Sequence, residues 1–131
     1  MRLLLDTHVL VWSQEDPDRL SAASRELLLD PTRERFVHTI STLELARLAD
    51  SGRLSFRLEL AAWLRAALGA LGAQTLELSH EDAFGAYQLP GAFHKDPADR
   101  ILVSATRHRG LTLMTADERI LAYPHVASLA A

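Results

Sequence analysis

Hydrophobic positions along the chain fall into short runs whose spacing alternates between strands and helices. Leu3 to Leu5 form a continuous apolar run that is too short for a helix and lacks polar alternation, which is typical of a strand buried on both faces of a parallel sheet. The same criteria predict further strands at 35–39, 75–78, 111–114 and 126–129. Apolar spacing, caps and glycine stops predict helices at 8–14, 21–29, 41–50, 57–71, 79–88, 98–109 and 117–121. This order predicts an α/β fold, with a parallel sheet in a three-layer α/β/α sandwich joined by right-handed crossovers.

Four acidic residues occupy comparable places in this pattern. They are Asp6 at the end of the first strand, Glu44 in the first turn or so of its helix, Asp99 at a helix start and Asp117 in the turn after a strand. Open α/β sheets bind their ligands at the carboxyl ends of the strands, so we expect the four carboxylates at that one edge. Each also has an ordinary explanation, because acids are favoured as N-caps, in first helical turns and in loops. Asp6 taken alone is equally consistent with a helix cap and with an active-site carboxylate.

Carboxylates gathered at one edge repel one another, by about 1 kcal/mol per close pair even when well solvated. A divalent cation offsets that repulsion, and Mg²⁺ prefers oxygen ligands while keeping several waters. One or two such ions can activate water and stabilise an in-line phosphoryl transfer. The chain has no cysteine, which excludes a thiolate metal site, a cysteine nucleophile and a disulfide framework.

Four segments of the chain carry a resemblance to a known family. They are Leu4 to Trp12 (LLDTHVLVW), Ser41 to Leu45 (STLEL), His94 to Arg100 (HKDPADR) and Leu113 to Glu118 (LMTADE). Together they resemble the PIN domain and, more narrowly, the VapC-type toxins of bacterial toxin–antitoxin pairs. Each motif is weak alone, but four in order at the expected separations are specific, and the similarity spans residues 2 to about 123.

This resemblance implies a single PIN domain over residues 1–131, with a five-stranded parallel sheet of order 3-2-1-4-5 and Asp6 on its middle strand. It implies a Mg²⁺- or Mn²⁺-dependent ribonuclease that cleaves RNA by two-metal-type hydrolysis. Metal binding and catalysis then fall on Asp6, Glu44, Asp99 and Asp117. The resemblance also implies a VapB-type antitoxin protein as partner and a homodimer.

Several neighbours of these acids have open or ordinary roles. Asp96 lies in an extra His-Lys-Asp-Pro element of a subgroup, and is a metal ligand, an acid behind the ligands or the cap of the following helix. Thr115 can orient a metal-bound water. His8 and His94 flank the expected site, and we interpret both as polar loop or helix-end residues rather than ligands.

The two tryptophans, Trp12 and Trp63, lie in predicted helices. Trp12 follows the first strand, and we interpret it as a packing residue rather than a base-stacking one. The helix around Trp63 is apolar around much of its circumference, so it needs cover on more than one side. Core packing explains part of this surface, and the rest suggests a dimer or antitoxin interface.

The net charge of −3 argues mildly against a nucleic-acid-binding protein. The argument weakens if the four acids and Asp96 share one site, because the remainder is then positive and bound cations reverse the sign of the site. Arg47 and Arg53 are the bases nearest to Glu44 in sequence. No stretch approaches the roughly 20 apolar residues of a membrane span, and no signal peptide is evident, so we expect a soluble cytoplasmic protein without membrane contact.

Other readings of the strand-end aspartate fit less well. A phosphoacceptor receiver domain requires a lysine after a late strand, but the sole lysine, Lys95, lies in a loop before the fourth strand. A haloacid-dehalogenase-type phosphatase requires an acid two residues after its nucleophile, where this chain has His8. A catalytically silent PIN module acting as a protein-binding platform is the alternative that the sequence leaves open, although the intact set of acids argues against it.

Overall fold

The computed structural model describes residues 1–131 and contains one five-stranded sheet. The strands are β1 (Arg2–Leu5), β2 (Glu34–His38), β3 (Gln74–Leu76), β4 (Thr112–Thr115) and β5 (Ser128–Ala130). Their order is β3-β2-β1-β4-β5, and every neighbouring pair is parallel. In the middle of the sheet Leu4 pairs with Phe36 on one side and Leu113 on the other. The parallel sheet and its expected order are confirmed.

Seven α-helices and one 3₁₀ helix connect the strands. They are α1 (Thr7–Glu15), the 3₁₀ helix Pro17–Arg19, α2 (Ala22–Leu29), α3 (Thr39–Asp50), α4 (Leu60–Leu71), α5 (His80–Gly85), α6 (Pro97–Arg109) and α7 (Glu118–Leu121). α3 begins earlier than predicted because the His38 imidazole caps it: Nδ1 accepts a hydrogen bond from the Ile40 backbone N–H at 2.9 Å. Glu44 therefore lies in the second turn of its helix rather than the first.

Other boundaries differ for reasons that are also local. α5 ends at Gly85 because the backbone N–H groups of Tyr87 and Gln88 bond to carbonyls only three residues back. β3 ends at Leu76, two residues earlier than predicted, and the Leu78 N–H donates instead to the Thr39 hydroxyl at 3.1 Å. α4 begins at residue 60 and β5 at residue 128, each later than predicted.

β1 is buried on both faces, as its unbroken apolar run predicts. Leu3 and Leu5 pack into a cluster shared with α1, α2 and α4, whereas Leu4 packs into a second cluster shared with α6 and α7. None of the three has exposed surface. The two clusters lie on opposite faces of the sheet, because successive side chains of a strand alternate between its faces. The result is the expected three-layer arrangement.

Core packing absorbs most of the apolar surface of α4. Trp63, Ala67 and Leu71 are buried, and three further leucines of the helix pack against the same cluster. The Trp63 ring stacks on Phe56 at 4.2 Å between centroids, and its indole N–H donates to Glu15 at 3.1 Å. The helix therefore needs less outside cover than its sequence suggested. None of the helices combines the length and hydrophobicity that crossing a bilayer requires.

Candidate active site

Asp6 directly follows the central strand and is also the N-cap of α1. One carboxylate oxygen accepts from the Thr7 backbone N–H at 2.7 Å and the other accepts from the Thr115 hydroxyl at 2.6 Å. The two readings of the sequence are thus compatible, because one side chain both caps the helix and faces the strand-end crevice. Burial raises the pKa of Asp6, against the lowering effect of these hydrogen bonds.

Glu44 is held against Asp6 by the residue between them. The Thr7 hydroxyl lies 2.5 Å from Glu44 Oε1 and 2.9 Å from the Ser41 hydroxyl. A hydroxyl has one proton, so Thr7 donates to the glutamate and accepts from Ser41. Burial raises the pKa of Glu44 despite this hydrogen bond. The Thr7 hydroxyl therefore joins the start of α1 to the first two turns of α3.

Asp99 is the most perturbed acid of the site. It lies buried in the first turn of α6, where its backbone N–H donates to Asp96 Oδ1 at 3.0 Å. Of the three roles open to Asp96, the structure shows the helix cap. Burial, and then the negative charges of Asp6 and the other nearby acids, raise the pKa of Asp99 to about 7.

Asp117 is the N-cap of α7 and the acid of the set that is hydrogen-bonded to a base, Arg119, which also lies 3.9 Å from Asp99. Its carboxylate accepts from the Arg119 backbone N–H at 2.8 Å and from the Arg119 guanidinium at 3.0 Å. Although burial alone would raise it, these hydrogen bonds hold the pKa of Asp117 below its usual value. The Thr115 hydroxyl accepts from the Asp117 N–H at 3.0 Å while donating to Asp6, so it links two acids directly.

His94 lies closer to the acids than its sequence suggested. Its Nε2 is 3.1 Å from Asp99 Oδ2, but the orientation does not make a hydrogen bond, and this buried nitrogen has no hydrogen-bond partner. Burial lowers the pKa of His94, which favours the neutral ring. His94, Asp99 and Asp117 each offer a ligand atom within 4.8 Å of the others. Only its place in the HKDPADR segment pointed to this position; His8, by contrast, is exposed on the cleft wall.

All four acids line one cleft of about 800 Å³, which we call the acidic cleft. It is defined by Asp6, Glu44, Asp99 and Asp117. The donor set fits a hard divalent cation such as Mg²⁺ or Mn²⁺, because it consists of carboxylate oxygens that lack enough protein donors to balance their charge. The unpartnered Nε2 of His94 at the edge of the set is consistent with the same fit, since Mn²⁺ also accepts imidazole.

Three arginines also line the acidic cleft, one from the 3₁₀ helix and two from α3 and the loop that follows it. Arg19, Arg47 and Arg53 line it, are exposed and make no ion pair. Arg47 and Arg53 were visible from the sequence because they follow Glu44. Arg19 was missed because it comes from the 3₁₀ helix and reaches the cleft only in the folded chain.

A third buried acid, Asp82, lies outside the cleft. It forms a capping box with Ser79, and it also accepts from His38 at 2.8 Å and from Arg109 at 2.7 Å, with His108 in contact as well. Burial alone would raise it, but these donors hold the pKa of Asp82 far below its usual value. The His38 ring is neutral, because its Nδ1 accepts from the Ile40 N–H and burial lowers its pKa.

Comparison with known proteins identifies the family of this chain. The PIN domain profile matches residues 3–126, so the chain belongs to the PIN domain family. Ribonuclease VapC22 of Mycobacterium tuberculosis is 33% identical over 123 residues, covering 94% of this chain and 92% of that protein.

Solved structures share the fold at low sequence identity. A chain of the VapBC2 complex from Rickettsia felis, bound to a DNA fragment from their promoter, superposes with a TM-score of 0.72 at 18% identity and covers 98% of both chains. The DNA-bound VapBC from Salmonella typhimurium gives a TM-score of 0.69 at 16% identity, covering 98% of this chain and 97% of that one. The resemblance drawn from the sequence is confirmed.

Proposed function

We propose that this protein is a metal-dependent endoribonuclease, a VapC-type toxin that a VapB-type antitoxin neutralises. The observation that carries the proposal is the buried Asp99 in a cleft with Asp6, Glu44 and Asp117, four carboxylates with a single basic partner among them. The similarity to a protein named Ribonuclease VapC22 supports the same activity.

Hydrogen bonds from neighbouring residues position three of the four acids that would hold Mg²⁺ or Mn²⁺. Thr115 fixes Asp6, and Thr7 fixes Glu44. Asp96 caps the helix that presents Asp99. When bound, a divalent cation supplies a more acidic water and charge stabilisation for a phosphate undergoing in-line displacement. The raised pKa of Asp99 means that a cation and a proton compete for this carboxylate near neutral pH.

The attacking group is water in this proposal, because the two side-chain hydroxyls beside the acids are both engaged in hydrogen bonds. The Thr7 hydroxyl is engaged between Ser41 and Glu44, and the Thr115 hydroxyl between Asp6 and Asp117. When water forms the new bond to phosphorus and the bond to the 3′-oxygen breaks, the products carry a 5′-phosphate and a 3′-hydroxyl. A mechanism that used the ribose 2′-hydroxyl would leave a 2′,3′-cyclic phosphate instead, so the product ends distinguish the two.

The experiment is cleavage of bulk RNA by the purified protein in Mg²⁺, in Mn²⁺ and in excess chelator, with product ends mapped. We expect cleavage only with metal, and 5′-phosphate ends. Full activity in chelator, or cyclic phosphate ends, would rule the proposal out. Absence of cleavage by a protein that still binds an antitoxin would support the silent PIN module instead.

The partners follow from the solved relatives, whose structures are VapBC complexes. We propose an antitoxin protein and a second copy of this chain as partners, with the activity directed at RNA in the cytoplasm. Light scattering at micromolar concentration should show a dimer or larger assembly. A strictly monomeric protein would leave the apolar surface of α4 to core packing alone.

A further inference from the structure

The acidic cleft extends past its carboxylates to an aromatic and cationic pair. Trp12 and Arg19 both line it, and the Arg19 guanidinium lies over the indole ring, with Cζ 4.3 Å from the ring centroid. The indole is half-buried and packs against the core, whereas Arg19 is exposed. The pair is thus anchored on one side and open to the cleft on the other.

α1 sets the distance between this pair and the reacting end of the cleft. Asp6 caps the helix, and Trp12 lies six residues further along the same helix, about 9 Å along its axis. Arg47 lies one turn after Glu44 on α3, and Arg53 follows the end of that helix. The same cleft is therefore lined by the indole, by three guanidinium groups without ion pairs and by the four acids.

We propose that Trp12 and Arg19 form a nucleobase subsite, in which a base of the RNA stacks on the guanidinium that the indole supports, while Arg47 and Arg53 bind adjacent phosphates. The inference rests on the proposed ribonuclease function and specifies its substrate class. Aromatic rings and arginine planes bind unstacked bases, and exposed arginines bind the backbone. A base within a duplex is not free to stack in this way, so the subsite selects single-stranded segments next to the cleaved phosphate.

This assignment revises the interpretation of Trp12 as a packing residue alone. The core holds the ring in place, and that anchoring makes a stacking platform rigid. Every base has a flat face that can stack, so the subsite accepts any base. It contributes affinity rather than strict sequence specificity.

The test measures binding to Asp99→Asn protein, which is expected not to cut its ligand. The two probes are a ten-nucleotide single-stranded RNA of mixed sequence and an abasic chain with the same number of phosphates. We expect the base-bearing probe to bind about tenfold more tightly. Trp12→Leu and Arg19→Gln should remove that preference, and Trp12→Phe should retain most of it. Arg65→Gln, an exposed arginine on α4 without an ion pair, is the matched control and should change nothing.

Equal affinity for the two probes in the parent protein would overturn the subsite. The same conclusion holds if Trp12→Leu weakens both probes equally, since that is the effect of a structural residue. Melting curves and the Trp12→Phe variant separate loss of stacking from loss of fold.

Cleavage kinetics distinguish this inference from the function on which it rests. In a protein with Asp99 intact, Trp12→Leu should raise KM about tenfold and leave kcat nearly unchanged. Cleavage with an unchanged KM would remove the subsite and leave the ribonuclease. Base-dependent binding by a wild-type protein that cuts no RNA would retain the subsite and remove the ribonuclease.

Discussion

Asp99 and Asp82 are both buried aspartates that lie at or against helix α6, Asp99 at its start and Asp82 at its end, yet their surroundings have opposite signs. Asp99, at the start of α6, is surrounded by other acids, and its pKa rises to about 7. Asp82 contacts the end of α6 through His108 and Arg109, and its pKa is held far below the usual value. Burial is common to both, so the partners decide the direction of the shift.

This difference in surroundings distinguishes the candidate metal site around Asp99 from the structural ion pairs around Asp82. The donors around Asp82 balance its charge and tie α5 to both β2 and α6. The acids around Asp99 leave negative charge unbalanced in the metal-free protein, which destabilises the fold. A protein retains such an arrangement where another charge completes it, which is the cation in the function that we propose. Removing the charge of Asp99 should therefore abolish activity without lowering stability. Removing the charge of Asp82 should lower stability and leave activity in place.

The largest expected effect is on catalysis. Asp99→Asn should reduce RNA cleavage by more than about 100-fold, because a charged ligand is lost from the centre of the acid set. The metal-free variant should be at least as stable as the wild type, since repulsion among the acids decreases. Cleavage rates and denaturation in chelator measure both quantities. An active variant would reduce Asp99 to an ordinary helix-start acid.

The next effect is on folding. Asp82→Asn should destabilise the protein by about 3–5 kcal/mol, because it leaves Arg109 and its neighbours without a buried counter-charge. Urea denaturation measures this loss, and activity well below the melting temperature should persist. Glu81→Gln is the control, because that side chain is exposed and its carboxylate comes no closer than 3.5 Å to the His108 ring. We expect its stability to change by no more than about 0.5 kcal/mol. A loss below 1 kcal/mol for Asp82→Asn would contradict the comparison.

The pH dependence of stability in chelator should show both carboxylates. The folded-state pKa of Asp99 is raised from 3.8 to about 7, so its stabilising contribution is complete below pH 4 and is lost as pH rises to 7, by up to about 1.4 kcal/mol per pH unit. The pKa of Asp82 is lowered, so its contribution is present above pH 4 and is lost as pH falls. Denaturation at pH 3, 4, 5.5 and 7 should give a maximum near pH 4 from these two groups. Asp99→Asn should reduce the decline above it, leaving the part that comes from Asp6 and Glu44, whose pKa values burial also raises. An unchanged decline would assign the whole slope to other groups.

Metal binding should give the smallest of these effects. At about 100 times its dissociation constant, Mg²⁺ should stabilise the wild type by roughly 2.7 kcal/mol, if the unfolded chain does not bind it. In a domain of this size that is a melting shift on the order of 10 °C. Asp99→Asn should shift far less, whereas Glu81→Gln should shift as the wild type does. Equal shifts in Asp99→Asn and wild type would place the cation elsewhere.

Local signals in the sequence predicted the strands of the sheet and the position of Asp6 at its edge. The run Leu3 to Leu5 is buried on both faces, and Asp6 ends it at the edge where α/β sheets place ligands. These inferences depend on neighbouring residues only. The capping box of Ser79 and Asp82 is likewise a local pattern, with its two residues three positions apart.

The contacts that the sequence did not reveal depend on how the chain folds back on itself, over long or short separations. His38 meets Asp82 across 44 positions, and histidine is not among the residues usually found as helix caps. Arg19 covers Trp12 because the chain turns after α1 in a 3₁₀ helix, which the sequence did not predict. The position of His94 beside Asp99 likewise depends on how one loop folds back on α6.

The histidine cap of α3 makes one amide a reporter of acid-induced opening. The Ile40 N–H is bonded to the His38 ring only while Nδ1 is unprotonated, so protonation of the buried imidazole breaks that bond and frees the first turn of the helix that carries Glu44. In hydrogen exchange, therefore, the Ile40 amide should lose protection at a higher pH than amides in the middle of α6. The cleft should loosen locally on the α3 side before the molecule unfolds as a whole.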